Sequence, residues 1–115
     1  SLSAGSYGAV LAWYSLIHLP PQNLSETLAS LRDSLMPQGD LLVGFFAGDR
    51  IEKFPHAVAP AYYWPPQTLA SLLERSGFSI LDVEHRRIPD ARDHGSISCH
   101  TIPRPLQRMR TQAKR

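Results

Sequence analysis

The residues from Gly8 to Tyr14 form an apolar and aromatic run without polar residues at alternate positions. A strand with one face in water alternates apolar and polar side chains, so this run predicts a strand buried on both faces of a sheet, between parallel neighbours. Ser15 and His18 follow it, and Pro20-Pro21 then opens the next element. Because ligands in open α/β sheets bind beyond the carboxyl ends of the strands, we expect a site directly after this strand.

A helical pattern begins at Pro21 and continues to Met36, and Pro37-Gln38-Gly39 ends it. A glycine at that end lets the chain leave the helix through a positive φ and enter a buried strand directly. The next residues, 40–47, are again apolar on both faces, so strand, helix and strand predict a right-handed βαβ unit. The leucines of the predicted buried stripe are Leu24, Leu28, Leu31 and Leu35.

The segment from Arg50 to Trp64 mixes aromatic residues with prolines and has no regular period. It is too apolar for a solvated linker. Its place after the carboxyl end of a strand predicts an irregular loop that forms a lid or a pocket wall. The residues predicted to line a substrate pocket there are Asp49, His56, Tyr62, Tyr63 and Trp64.

The remaining pattern predicts a second helix from Pro66, ended by Gly77 at the C′ position, and a strand over residues 78–84. A polar loop from Arg86 to Gly95 separates that strand from a last strand over residues 97–102. The chain is therefore predicted to form an α/β fold with about four strands and two main helices.

Composition limits the domain organisation. With 115 residues, of which 43% are hydrophobic and 19% charged, the chain holds the core of one domain. No acidic residue follows Asp93, whereas basic residues crowd the end of the chain. We therefore expect a domain over residues 1–103 and a basic tail over residues 104–115. The tail lacks interleaved aromatic residues, so nucleic acid is not the expected partner.

The single cysteine, Cys99, excludes an internal disulfide and fits a reducing cytosol. The apolar runs are too short to cross a bilayer and no signal peptide is visible, so the expected location is the cytoplasm, without membrane contact. The histidines show no HxxxH or HExxH spacing, and Cys99 and His100 alternate across a strand, so no metal site is expected. Ser15 lacks a G-x-S-x-G elbow, so nothing points to a hydrolase.

Three segments occur in a characteristic order: Ala12 to Leu19, Leu31 to Leu42, and Leu69 to the Gly77-Phe78 pair. In this order and spacing they resemble the second half of a class I S-adenosylmethionine-dependent methyltransferase. In that family the fourth strand ends in such a segment, a helix closes with a Leu-x-Pro-Gly-Gly turn, and a later helix ends in Gly-Phe. The turn at residues 37–39 departs from this pattern by one residue. The resemblance implies a truncated Rossmann-like sheet of parallel strands with an antiparallel last strand, and with both main helices on one face.

The resemblance also implies where a cofactor and an acceptor would bind. The residues that would lie against the methionine part of S-adenosylmethionine are Ala12, Trp13, Tyr14 and Ser15. His18 and His56 are the candidates for a catalytic base, and the aromatic residues near them would exclude water and shield a sulfonium by cation–π attraction. Structural alternatives stay open: Trp13 and Tyr14 as core aromatics, His18 as a residue bonded to a backbone group, and Asp49 as a turn former.

The family holds its cofactor through a glycine-rich turn after the first strand and an acidic residue that ends the second strand. The glycines of this chain nowhere show G-x-G-x-x-G spacing. We therefore expect a C-terminal fragment of an S-adenosylmethionine-dependent methyltransferase that binds no cofactor alone and is inactive or incomplete by itself. The alternative is a non-catalytic dimerising or partner-binding module derived from that fold.

Without that half, one sheet face and the edge of the first strand would be exposed. Exposed apolar surface is unfavourable by on the order of 25 cal/mol per Å², so a whole sheet face amounts to several kcal/mol, comparable to the stability of a small domain. The expected partner is therefore a second copy, in a homodimer that covers the face or pairs the edge. A missing N-terminal half is the other expected partner.

Overall fold

The computed structural model describes residues 7–56 and 59–102, so the predicted basic tail at 104–115 lies outside the described residues. The described elements include two α-helices, one 3₁₀ turn and the strands of two sheets. In chain order they are β1 (Tyr7–Trp13), the 3₁₀ turn (Leu16–His18), α1 (Pro21–Ser34), β2 (Leu35–Phe46), β3 (Glu52–His56), β4 (Ala59–Tyr63), α2 (Pro66–Arg75), β5 (Phe78–Arg86) and β6 (His94–Thr101).

Four strands form one mixed sheet in the order β1-β2-β6-β5. β1 and β2 run parallel, with Ala12 opposite Val43, because α1 carries the chain back between them. β6 lies antiparallel between β2 and β5, with Ile97 opposite Val43 on one side and Val83 on the other. The predicted α/β fold of about four strands, with an antiparallel last strand, is confirmed.

Both α-helices pack against the same face of the sheet. Their buried leucines join one core cluster with the strand residues that alternate toward that face. The Arg32 guanidinium, near the end of α1, donates to the Ser76 carbonyl just beyond α2 at 3.3 Å, which places the two helix ends side by side. The predicted placement of both main helices on one face is confirmed. The buried residues of this layer include Leu24, Leu28, Leu41, Val43, Phe45, Leu69, Leu73 and Ile97.

The other side of the sheet, which we call the open face, is uncovered in the described chain. Leu11 is 63% exposed, and Leu42, its partner in β2, is 38% exposed. Leu81 in β5 is 56% exposed, and the three leucines line one shallow groove with Ser98. The prediction that β1 is buried on both faces is therefore wrong for this chain, because the described residues supply a covering layer on one face.

The turn between α1 and β2 differs from the predicted glycine exit. α1 ends at Ser34 rather than at Met36, and β2 begins at the next residue. The positive φ, 60°, belongs to Gln38 and not to Gly39. Gly39 is required for close approach instead, since a Cβ there would lie 2.8 Å from the Met36 carbonyl oxygen. The turn residues therefore form an irregularity within β2 rather than a linker before it.

The segment predicted as an irregular loop forms an antiparallel hairpin. β3 and β4 pair along their whole length, and Pro55 lies opposite Pro60. A two-stranded ribbon tolerates these prolines because both of its strands are edges, on which one side of the backbone needs no partner. A parallel bridge between Ala47 and Trp64 joins the hairpin to the carboxyl end of β2. The irregular-loop prediction is therefore wrong, since the prolines that argued against strands occupy edge positions.

The end of α2 and the start of β6 complete the main sheet. Gly77 follows α2 with a φ of 100°, which confirms the predicted C′ glycine. β6 begins at His94 rather than at the predicted Ile97, and His94 pairs with Phe46 of β2 and Arg86 of β5. The predicted loop is therefore shorter than expected, and His94 belongs to the sheet where β2 ends.

Cys99 is buried on the core face, and its thiol contacts the Leu41 carbonyl at 3.6 Å. Burial, with a smaller contribution from the negative charge of Asp40, raises the pKa of the Cys99 thiol to about 12. The thiol therefore stays protonated at neutral pH and is a poor nucleophile. Within residues 7–56 and 59–102, no three histidine, cysteine or acidic side chains converge as a metal site, and no helix has the length and apolar character to cross a membrane.

Candidate functional site

Ring-bearing side chains gather where β1 and β2 end, and we call this group the aromatic cluster: Tyr14, Phe46, Phe54, Tyr63 and His94. The ring centroids of Tyr14 and Phe46 are 5.0 Å apart, and those of Phe46 and His94 are 5.1 Å apart. Phe54 packs against Phe46 at 5.7 Å, and Tyr63 stacks on Phe54 at 4.2 Å. These are the separations of packed aromatic pairs, so the cluster is continuous from β1 to the hairpin.

Tyr14 joins the cluster through an unusual backbone conformation. Its φ is 58°, in the left-handed region that a bulky side chain rarely adopts. Its N–H donates to the Gly44 carbonyl at 2.9 Å, so the residue stays bonded to β2 although β1 has ended. Strained backbone of this kind is concentrated at sites of function, which makes the end of β1 the first candidate position.

The Tyr14 hydroxyl forms a hydrogen bond with Nδ1 of His94. Burial raises the pKa of Tyr14, while the positive charge of Arg86 opposes that rise. The phenol therefore keeps its proton at neutral pH, and its bond to the imidazole ties the end of β1 to the start of β6.

Arg92 lies over the aromatic cluster, on the loop between β5 and β6. Its guanidinium carbon is 4.5 Å from the centroid of the Phe54 ring and 5.9 Å from that of Phe46, both within the range of cation–π attraction. Its Nε donates to the Tyr63 hydroxyl at 3.1 Å. These contacts hold an exposed cation beside the Tyr14–His94 pair.

The neighbouring Asp93 is engaged away from that guanidinium. Its carboxylate lies 3.0 Å from Nε2 of His85, and its carbonyl accepts the Ala47 N–H at 2.9 Å. The second contact ties the loop to the carboxyl end of β2 and so helps to place Arg92. In the part of the chain that the structure describes, no acidic side chain lies at ion-pair distance from Arg92.

Of the residues predicted to line a substrate pocket, the structure brings Tyr63 into the aromatic cluster. Tyr62 is half-buried against the core, and Trp64 is only 3% exposed within it. Asp49 lies in the exposed bend after β2. His56 ends β3, and its side chain lies outside the described part of the structure. A role in substrate binding stays a prediction for all five residues.

The residues predicted to contact a cofactor differ in their surroundings. Ala12 is buried in the core, and Ser15 is exposed. Trp13 ends β1, and its side chain is outside the described part. Tyr14 is in the aromatic cluster, half-buried rather than fully in the core. Contact with a cofactor stays a prediction for these residues.

His18 contacts the hairpin. Its Nδ1 donates to the Pro60 carbonyl at 2.9 Å, which ties the 3₁₀ turn to β4. A backbone partner is the structural alternative that the sequence left open for this histidine. A catalytic role for His18 stays a prediction.

Sequence reasoning missed Phe46, Phe54, Arg92 and His94 as site residues. Phe46 falls on the side of β2 opposite Phe45, which the alternation of side chains along a strand already indicates. Arg92 and His94 carried no comparable signal, because their positions depend on where β6 begins and how far it pairs with β2 and β5.

No family model matches this chain, and no curated protein sequence matches it. The structure does match solved structures. One is 1,6-didemethyltoxoflavin-N1-methyltransferase from Burkholderia thailandensis with bound S-adenosylhomocysteine, with a TM-score of 0.77 and 20% identity over 87% of this chain and 46% of that chain. A second is an S-adenosylmethionine-dependent methyltransferase from Methanosarcina mazei, with a TM-score of 0.72 and 14% identity over 89% of this chain and 62% of that chain.

A third match is the [4+2]-cyclase SpnF, with a TM-score of 0.66 and 14% identity over 86% of this chain and 52% of that chain. The chain has a partial class I methyltransferase fold. It spans about half to three-fifths of the length of these three structures. Similarity at this level of identity establishes the methyltransferase fold and leaves the reaction open, since a methyltransferase and a cyclase both match it.

In this partial methyltransferase fold the aromatic cluster lies at the carboxyl end of β1, which is where the family resemblance predicts the methionine end of S-adenosylmethionine. Three of the described glycines serve internal packing. A Cβ at Gly39 would meet the Met36 carbonyl, one at Gly48 the Tyr63 side chain, and one at Gly95 the Phe45 ring.

Proposed function

We propose that this chain is the acceptor-side part of an S-adenosylmethionine-dependent methyltransferase and that residues 1–115 alone do not retain the cofactor. The observation that carries this proposal is the aromatic cluster at the carboxyl ends of β1 and β2, inside a partial methyltransferase fold. Open α/β sheets bind their ligands at this edge. Tyr14 belongs both to the cluster and to the segment that resembles the cofactor-contacting part of the family.

S-adenosylmethionine, when bound, supplies a methyl group on a positively charged sulfur. Methyl transfer is an in-line displacement, so the protein contributes mainly by positioning the reactants and excluding water. The packed rings of Tyr14, Phe46 and Phe54 keep water from one side of the site, and aromatic faces attract a cation. The hydrogen bond between Tyr14 and His94 holds the imidazole in place against the edge of the Tyr14 ring.

The second half of the proposal, that the chain alone is incomplete, is supported by the glycines. None of them has the spacing of a nucleotide-binding turn, and those at positions 39, 48 and 95 are committed to internal contacts. A cytoplasmic location is part of the same proposal, because the single cysteine, Cys99, is a free and buried thiol.

Titration of S-adenosylhomocysteine into the isotopically labelled 115-residue chain tests the proposal by NMR. We expect a dissociation constant no tighter than about 1 mM, with amide shifts confined to the surroundings of Tyr14, Gly44 and Phe46. Methionine is expected to shift the same amides, and adenosine is not, because the aromatic cluster provides only the methionine side of the site.

The amide of Leu73 serves as an internal control, since this residue is buried in α2 on the core face. Micromolar binding measured by titration calorimetry would show that the chain holds the cofactor by itself and contradict its incompleteness. Shifts spread over the whole sheet, or no shift at millimolar concentration, would contradict the placement of the methionine end.

The open face favours a second candidate, a non-catalytic module that dimerises. Leu11, Leu42 and Leu81 are exposed on one side of the sheet, and β1 lies at the end of its strand order. We propose a second copy of this chain as the occupant. A two-fold-related copy can pack its open face against this one and bring the exposed leucines of both copies into one interface.

Sedimentation velocity at micromolar concentration tests this candidate. The unchanged chain is expected to be a dimer, and Leu42→Asp is expected to be a monomer because the new carboxylate would be buried in the interface without a partner. Ile51→Asp is the matched control, since Ile51 is 40% exposed but precedes β3 and lies off the open face. A compact monomer of the unchanged chain, or equal dissociation by both variants, would rule out this interface.

A further inference from the structure

Arg92 presents a fixed guanidinium at the edge of the aromatic cluster. Its position is set by the Phe54 ring below it at 4.5 Å and by the Tyr63 hydroxyl, which accepts from Nε at 3.1 Å. Its two terminal nitrogens make no hydrogen bond to any side chain or carbonyl of the described residues, and the side chain is exposed. The N–H groups of these two nitrogens, on the outer edge of the guanidinium, therefore remain available as donors to a ligand.

The surroundings of Arg92 leave its charge uncompensated. Asp93, the nearest acid in sequence, pairs with His85 instead. A second arginine, Arg86, pairs with His94 in the sheet, and its positive charge opposes the rise that burial causes in the pKa of Tyr14. The aromatic cluster is therefore flanked by two cations, which favours an anionic ligand beside the rings.

We propose that Arg92 binds the carboxylate of a planar, aromatic methyl acceptor whose ring packs on the aromatic cluster. This inference rests on the proposed methyltransferase function and names the class of acceptor for it. The planar guanidinium presents parallel N–H donors that match the two oxygens of a carboxylate, which a lysine does not. The half-buried rings of Tyr63 and His94, which belong to the same cluster as this guanidinium, provide the flat surface that an aromatic ring requires.

The cation–π contact with Phe54 also admits a purely structural role, in which Arg92 pins the hairpin to the end of β2. The two roles differ in what they affect. A structural Arg92 changes the free energy of unfolding when it is replaced and has no effect on ligand binding, whereas an anchoring Arg92 changes the affinity for an anion.

Binding of benzoate to the 115-residue chain, followed by NMR at the amides of residues 44–47 and 92–95, distinguishes these roles. We expect benzoate to bind with a dissociation constant of about 1 mM and Arg92→Gln to weaken it about tenfold or more, since bonds to a charged group are lost. Arg92→Lys is expected to fall between the two, because it keeps the charge and loses the fork. Benzamide, which has the same shape without the charge, should bind the unchanged chain as weakly as benzoate binds Arg92→Gln.

Arg87→Gln is the matched control, because it removes a neighbouring exposed positive charge that has no contact with the aromatic cluster in the described structure. Should Arg92→Gln fail to fold, Tyr63→Phe keeps the guanidinium and removes its Nε acceptor, and we expect it to weaken benzoate a few-fold. Equal losses in Arg87→Gln and Arg92→Gln, unchanged binding in Arg92→Gln, or no benzoate binding at all would overturn the proposal.

The titration with S-adenosylhomocysteine separates this inference from the function on which it rests. If that titration shifts the amides around Tyr14 and benzoate does not bind, the acceptor assignment is wrong and the methyltransferase proposal stands. If benzoate binds through Arg92 and S-adenosylhomocysteine has no effect, the placement of the methionine end beside the aromatic cluster is wrong, and with it the description of the anion as a methyl acceptor.

Discussion

Gly95→Val is expected to lower the free energy of unfolding by about 3 kcal/mol, because the new side chain would overlap a fully buried ring. A Cβ at residue 95 would lie 2.4, 2.7 and 2.9 Å from three carbons of the Phe45 ring. Phe45 lies opposite Gly95 in the pairing of β2 with β6 and is 1% exposed, so the ring has no solvent to move into. Valine favours strand conformation by up to about 1 kcal/mol, which is too little to offset the overlap.

Denaturant unfolding of Gly95→Val, Gly95→Ala and the unchanged chain measures this effect. Gly8→Ala is the matched control, because a Cβ there would meet only the flexible Met36 sulfur, at 4.0 Å. Adding Phe45→Leu to Gly95→Ala is expected to recover part of the loss, since the two residues share one volume. Equal stability of Gly95→Ala and Gly8→Ala would contradict this account of the junction between β2 and β6.

Thr101→Val is expected to lower the free energy of unfolding by about 1–3 kcal/mol, because it removes a buried hydroxyl that serves two backbone groups. The Thr101 hydroxyl donates to the Met36 carbonyl at 2.8 Å and accepts the Gly39 N–H at 3.1 Å. Thr101 is 3% exposed, and Gly39 is also buried. Valine has nearly the shape of threonine, so the loss comes from the unpaired peptide groups and not from a cavity.

The measurement is denaturant unfolding together with hydrogen exchange at the Gly39 amide, which is expected to be faster in Thr101→Val. Thr101→Ser keeps the hydroxyl and should leave that amide protected, at the loss of one methyl group and about 1 kcal/mol. An unchanged exchange rate in Thr101→Val would mean that the Gly39 N–H does not depend on this hydroxyl.

Both substitutions act on β6, which links stability to the site. Gly95 follows His94 directly, and Thr101 closes the other end of the same strand. A displaced β6 would separate His94 from Tyr14 and Phe46, which are the contacts that assemble the aromatic cluster. We therefore expect variants of Gly95 to lose ligand-induced NMR shifts before they lose the fold.

The predicted elements that the structure confirms share one property: their signals are local. The leucine stripe of α1 and the glycine after α2 act within one or two helical turns, so the sequence alone determines them. The apolar runs in β1 and β2 likewise determine strands, and their order along the chain determines the parallel pair. The order of motifs was sufficient to predict the partial methyltransferase fold.

Tertiary structure decided the parts that depend on pairing between distant residues. The hairpin of β3 and β4 accepts Pro55 and Pro60 because both of its strands are edges. No local sequence pattern predicts that a strand will lie at an edge. His94 joins the aromatic cluster because β6 pairs with β2 as far as Phe46. Arg92 is positioned by its contact with Phe54 of the hairpin. Side-chain period determines which segments form strands, whereas the register between strands, a property of the whole sheet, determines which side chains meet.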